Sequence, residues 1–423
     1  MADGARTACG LVALMLISCL AATAAAEGAV EMSNPFWIAE LDLGLEAVAA
    51  GGETTQKVLV AGADGYARLL DGTDPSIQVE LATPTDETLR SISWHPRGKT
   101  ALLVGDNGAM LRYVAEDHSV TTVSGSVQLN GIDIQAVTWN AAGSDAYLGG
   151  EDGYLWAYHE GEGGEGVFQI LIDEASSRIT GIACQEEERF CAMTTESNGI
   201  AIIDSNANHS LYWIGGTNRV WRGINCAEPV FNRCVAIGED RAIGTIGLNI
   251  QNPDQSTVFT QIIPGISGEF THIHTRTASE ALATMAPFQV MAWDLSAGEA
   301  YEWIENEDVV ASSSALAGER LIGTWGTTEN PNVGFIVTSY GAIIEFHPPP
   351  ETSVWTDTLI SYVLGIVVLI AVPGSVLGLI FMNSETLQRK YFARRNAKSE
   401  AAEAKRVEKE KAEKRAARKV KHS

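Results

Sequence analysis

Lysine is almost missing from most of this chain. Between Glu27 and Met382 only Lys57 and Lys99 occur, and with 12 arginines they face 46 acidic residues, a net charge of −32. Phosphate contacts need stripes of Lys and Arg, so this stretch is excluded as a nucleic-acid binder. An acidic exterior of this kind suits saline surroundings or the uptake of cations, and it repels acidic polymers. Linear catalytic signatures are missing too: the chain holds no His-Glu-x-x-His, no phosphate loop, no Gly-x-Ser-x-Gly elbow and no EF-hand pattern. That removes the enzymes recognisable from one motif, but not those whose residues are gathered from several loops.

What is present is repetition. Leu89 to Val114 reads LRSISWHPRGKTALLVGDNGAMLRYV, and Ile134 to His159 reads IQAVTWNAAGSDAYLGGEDGYLWAYH. Each unit has a short alternating apolar run ending in Trp94 or Trp139, a polar turn, a second apolar run, an acidic tight turn and a third run. Period-two alternation punctuated by Asn-Gly or Asp-Gly is the signature of a β-hairpin. Aligned turn anchors fall at Gly65, Gly108, Gly153, Gly199, Arg241, Gln289 and Gly341, spaced 43, 45, 46, 42, 48 and 52 residues apart. With a fourth strand after most units, as in GVFQILI and SLYWIGG, this spacing predicts an all-β, seven-bladed β-propeller from about residue 40 to 347. The last unit runs into His347-Pro348-Pro349, where proline cannot donate to a ladder, so the run Phe36 to Leu41 is expected to supply its fourth strand.

These residues resemble the WD-repeat family. The resemblance rests on Ser91 to Lys99 (SISWHPRGK) and on the Asp or Asn before the turn glycine, at Asp64, Asn107, Asp152 and Asn198. An aromatic on the third strand adds to it, at Tyr113, Tyr158 and the single Trp-Asp pair Trp293-Asp294. The Gly-His pair that usually opens such repeats is absent. The VGDNGAMLR segment is also similar to propeller repeats of photosystem-assembly and sialidase-like proteins. The family resemblance implies a binding scaffold rather than an enzyme, with no cofactor.

Outside residues 27–350 the chain changes character. Residues 1–26 combine a thin basic start, an apolar core and Ala24-Ala25-Ala26, as a cleaved secretory signal does; Leu16 to Cys19 also resembles a lipoprotein box lipidated at Cys19. After a linker, 351–358, Leu359 to Met382 is free of charge, long enough at 1.5 Å per residue to cross a ~30 Å hydrocarbon core. Pro373-Gly374 is expected to kink that helix, and Gly374 with Gly378 is a candidate contact for a homodimer. The tail, 383–423, holds 14 Lys and Arg against 6 Glu. Basic flanks remain in the cytoplasm, so the expected arrangement is single-pass in the cell membrane, propeller outside and tail inside. The tail is expected to be helical or disordered without a coiled-coil heptad; Arg389, Lys390, Arg394 and Arg395 are candidates for holding anionic headgroups of the lipid bilayer.

Four cysteines lie beyond the first 26 residues. In the aligned repeats Cys184 and Cys226 stand where Trp94 and Trp139 do, and Cys191 and Cys234 lie opposite them across the hairpin. Two neighbouring repeats with a pair in the same place predict two hairpin-bridging disulfides of an oxidising compartment. A four-thiolate zinc site would need all four sulfurs to converge, and the spacings do not suit it. Asn208-His209-Ser210 is a glycosylation candidate. His272 and His274 point to one face of a strand, as a metal pair or as ordinary strand histidines.

The reading that follows is a membrane-tethered scaffold outside the cytoplasm, binding an envelope or membrane protein, peptide or glycan. The alternatives are an exported propeller enzyme of hydrolase or quinoprotein type, and an assembly factor for a membrane complex.

Overall fold

Each of the seven repeats becomes one antiparallel sheet in the computed structural model. The structure describes residues 30–348 except for 40, 54–55, 162–164, 174–175, 186–188, 227–231, 265, 267, 278, 305–315, 317, 328–329 and 331, together with residues 378 and 380–420. Blade one runs Leu45–Gly51, Lys57–Gly62, Ala67–Asp71 and Gln78–Glu80; blade two Leu89–Trp94, Thr100–Gly105, Met110–Val114 and Val120–Thr122. Blades three to six start at Ile134, Ile179, Trp221 and Glu269 and have four strands each. The expected fourth strands are there, at Gly166–Ile172 and Ser210–Gly215.

The tight turns explain why the hairpins form where they do. Asp64 and Gly65, Asn107 and Gly108, and Asp240 and Arg241 all carry positive φ between their second and third strands, the primed geometry that matches strand twist. Asp and Asn tolerate this region because a short polar side chain bonds locally. Backbone geometry therefore accounts for Asp64 and Asp240, but not for Asp106 and Glu239.

Packing follows the alternation. The second strand of each blade is buried on both faces, as in Val58–Gly62, Ala101–Gly105 and Phe190–Thr195, because neighbouring blades cover it from either side. The hydrophobic clusters accordingly straddle blade boundaries. One joins Leu59, Leu69 and Leu81 of blade one to Leu103, Leu111 and Tyr113 of blade two. Two tryptophans bond across such boundaries, Trp94 Nε1 donating to Ala49 O at 3.0 Å and Trp325 Nε1 to Gly72 O at 3.0 Å, whereas Trp139 Nε1 is buried without a partner.

Ring closure is mixed, as the proline argument predicts. Blade seven has three strands from the end of the repeat array, Leu321–Gly326, Gly334–Thr338 and Ala342–His347. Its outer edge is completed by the N-terminal segment, with Phe36 opposite Ile343 and Trp37 opposite Ala342. A second short strand lies further along, with Glu31 opposite His347 and Met32 opposite Phe346. Val30 and Ile38 are buried beside these strands, in two clusters shared with blade seven. Blades seven and one are tied by Leu45 N to Ser339 O at 2.7 Å and Gln56 Nε2 to Gly326 O at 2.7 Å.

The chain divides into two units, 1–349 and 350–423. In the second, the tail forms one α-helix, α1, Glu385–Val420, of 36 residues and without an apolar stripe. Among the described residues no helix is long and apolar enough to cross a membrane. The apolar run Leu359 to Met382 falls almost wholly outside the described residues, as do the signal segment 1–26, the linker 351–358 and Gly374.

Candidate functional site

The inner strand of every blade breaks register at the same place. Two of its residues stand against one of the second strand between Leu45 and Ala47, Leu89 and Ser91, Ile134 and Ala136, and Ile179 and Gly181. The same slip recurs between Trp221 and Gly223, Phe270 and His272, and Leu321 and Gly323. A β-bulge leaves one residue unpaired and re-aims its side chain. Here the extra residues are Glu46, Arg90, Gln135, Thr180, Arg222, Thr271 and Ile322. All but the last line a funnel of about 720 Å³ at one end of the central channel; Ile322 turns into the core, and Arg320, two residues earlier, takes its place.

Four arginines meet at this mouth, Arg90, Arg178, Arg222 and Arg320. Each is held by a carboxylate. Arg90 grips Asp106 through Nε and Nη2, the latter at 2.9 Å, and Arg320 reaches across the closure to Glu46 of blade one at 2.9 Å. Arg178 pairs with Glu151 of the preceding blade, and Arg222 with Glu239 of its own. The bond to Asp106 raises the Arg90 pKa above its ordinary value, and the bond to Glu151 does the same for Arg178. A guanidinium has five N–H donors. Arg178, Arg222 and Arg320 each spend one on a carboxylate and Arg90 two, and Arg178 Nε is enclosed without a partner. The lining thus combines four arginines with Glu46, Glu239, Asp240 and Glu269, a balance of charge found on a domain that is otherwise strongly acidic.

Below the arginines stand His272 and His274, their rings stacked at 6.2 Å. Burial pushes the pKa of each down to about 4; Arg320 adds to the effect on His272, and His272 adds to the effect on His274. Both are therefore neutral at pH 7. His274 Nε2 bonds the Ile322 carbonyl at 3.2 Å, so it satisfies the inner strand of blade seven. Among the described residues no three His, Cys, Asp or Glu are grouped to hold a metal ion. Ser91, the hydroxyl of the mouth on blade two, accepts from Val137 N at 3.2 Å and is occupied in joining blades.

The other residues singled out by sequence lie elsewhere. Cys184 pairs with Cys191 and Cys226 with Cys234, directly opposite in register, and both pairs form disulfides inside single hairpins of blades four and five. Asn208 is exposed in a left-handed turn between the third and fourth strands of blade four. Arg389, Lys390, Arg394 and Arg395 are exposed on α1, and Gly378 has open space around it. A second cavity of about 560 Å³ gathers His95, His159 and His209 with Asp145 and Glu160. Two of its histidines are committed, His95 to Gly143 O at 3.0 Å and His209 to the Tyr147 hydroxyl at 2.9 Å.

Sequence reasoning missed the mouth. Its one available signal was an Arg, Glu or Gln directly after the first buried residue of an inner strand, at Glu46, Arg90, Gln135 and Arg222. It also found only one of the aspartates that end third strands. Asp294, of the Trp-Asp pair, accepts from Ser296 N at 2.7 Å and Ala297 N at 3.0 Å; Asp71 and Asp204 hold the equivalent turns of blades one and four. Burial alone would raise the Asp71 pKa, yet its bonds from Thr73, Lys57 and Asp74 carry it well below the usual carboxylate range.

No family model matches this sequence, and no curated protein matches it. Among solved structures, the β-propeller domain of Cps50 (Swd1) from Myceliophteria thermophila is similar, with a TM-score of 0.58 and 12% identity. The match covers 76% of this chain and all of that one. At that identity it shows the fold alone. A β-propeller is thus a structural neighbour, in agreement with the blades read from the repeats.

Proposed function

We propose that this protein is a scaffold displayed outside the cytoplasm on a single membrane tether, and that the channel mouth is its binding face. The observation that carries this reading is the convergence at one point of side chains from all seven blades, four of them arginines. An acidic domain repels an acidic partner at every other approach, so a partner that presents a carboxylate is admitted in one place only. Specificity then comes from the repulsion around the site as much as from the guanidinium donors inside it. An envelope or membrane protein, or a peptide of one, is the partner class that suits a funnel of this size.

Two disulfides favour an oxidising compartment for the propeller. The uncharged run Leu359 to Met382 and the basic tail after it favour a tether with the tail inside. Crosslinked pull-down of the intact membrane form tests the reading. A partner is expected with the full chain and with the tail deleted, and should be lost when Arg90 and Arg222 are both replaced by Gln. Capture that persists in the double variant, or that follows the tail instead, refutes the mouth as the binding face.

A further inference from the structure

From Glu385 to Glu410, helix α1 segregates charge, although it does not segregate apolar residues. At 100° per residue, Lys390, Arg394, Lys398, Lys405 and Lys409 fall within an arc of about 100°, and Arg395 and Arg406 widen it to about 160°. Glu385, Glu400, Glu403 and Glu410 lie on the opposite side. Arg389 is the one base there before Lys411, and it pairs with Glu385 at 3.4 Å; Glu408 sits at the edge of the basic arc. Leu387 and Tyr391 fall inside that arc and are 45% and 54% exposed. Phe392 and Val407, 51% and 46% exposed, fall on the glutamate side, so it is charge that distinguishes the two faces.

The junction before the helix has its own structure. Ser384 interrupts the helical run after Asn383, and its Oγ accepts from Leu387 N at 3.4 Å, as a helix cap does. Gln388 Nε2 reaches back to the carbonyls of Phe381 and Met382 at 3.0 and 2.9 Å, and Tyr391 packs edge-on against Phe381 at 5.4 Å. A new helix therefore begins at the very end of the apolar run, with its basic and aromatic face already fixed to that end.

We propose that α1 lies along the surface of an anionic lipid leaflet, with the arc from Lys390 to Lys409 on the headgroups and the glutamate side toward water. Charge complementarity selects this occupant: bases attract anionic headgroups within a Debye length, and Leu387 and Tyr391 enter the boundary between headgroup and acyl chain. The adjoining apolar run supplies the leaflet. This inference rests on that run being a membrane tether, as proposed above. It extends the candidate headgroup contacts Lys390, Arg394 and Arg395 to a surface of about 30 Å, turns the helix into the plane and leaves Arg389 on the water side with Glu385.

The test uses the full chain in lipid nanodiscs, either zwitterionic or with about a third phosphatidylglycerol, and follows amide hydrogen exchange over residues 387–411. Exchange is expected to slow by tenfold or more on the anionic discs. The protection should vanish in the triple variant Lys390→Glu, Lys398→Glu, Lys405→Glu and persist in Glu400→Gln, Glu403→Gln. Equal exchange on the two disc types overturns the proposal, and so does equal protection when a short RNA is added to zwitterionic discs, since the stripe would then serve nucleic acid. A chain that never enters the discs refutes the tether and this inference together; one that enters them without protection refutes the inference alone.

Discussion

Acid should loosen the propeller through two imidazoles at its centre. His272 and His274 hold folded-state pKa values near 4 against an ordinary 6.5, chiefly because burial penalises the charged ring. Between those two values the unfolded chain binds more protons than the folded one. Stability from this pair is therefore complete above about pH 6.5 and declines as the pH falls toward 4. A full shift of this size corresponds to about 3 kcal/mol for one ring. Each ring keeps part of its surface on the funnel, and charging one disfavours charging the other, so about 3 kcal/mol for the pair is the expected total. For a domain of this length that lowers the Tm by about 5 °C. The assay is thermal unfolding of the chain at pH 7 and pH 5, beside the variant His272→Gln, His274→Gln, whose amides keep a donor for the Ile322 carbonyl. Because pH 5 lies about three-fifths of the way from 6.5 to 4, the wild type should lose more of its Tm between the two pH values than the variant by about 3 °C. Identical losses would refute the account, and would mean that the acid sensitivity belongs to carboxylates.

Ring closure gives a second expectation: removing residues 27–38 strips two strands and buries neither Val30 nor Ile38, each worth about 2 kcal/mol, so the cooperative melt should broaden and aggregation should follow from the bared edge at Ala342–His347. Replacing Cys191 by Ser should cost about 2 kcal/mol, read as a shift of the denaturation midpoint, with the Cys226–Cys234 bond still intact in a non-reducing mass measurement. Arg90→Gln with Arg222→Gln should change stability by less than ~1 kcal/mol, since half-exposed ion pairs contribute little. A protease added to intact cells should remove the acidic domain and spare the basic tail; loss of both, or of neither, contradicts the proposed orientation.

Much of the fold was legible because its determinants are local. A hairpin is set by alternation and a turn residue, and Asp64, Asn107 and Asp240 announce their left-handed turns in the sequence alone. The disulfides were legible for the same reason, since Cys184 and Cys191 are joined within one hairpin. The proline after His347 even indicated that the ring closes with a strand from the other end of the chain. The candidate site was not legible in this way. Arg90, Arg178, Arg222 and Arg320 are separated by 88, 44 and 98 residues, and two of them precede their strands rather than sit in them.

By itself, then, the amino-acid order determined the repeat, its strands, its turns and the chemistry of the two ends, because each depends on neighbours a few residues apart. Only the tertiary structure decided what lies at the axis. A bulge is a relation between two strands of one blade, but the ring of bulges is a relation among seven sheets and exists only when the first and last blades meet. The packing of blade seven on blade six likewise sets the protonation of His272 and His274, which meet Arg320 and the Ile322 carbonyl there.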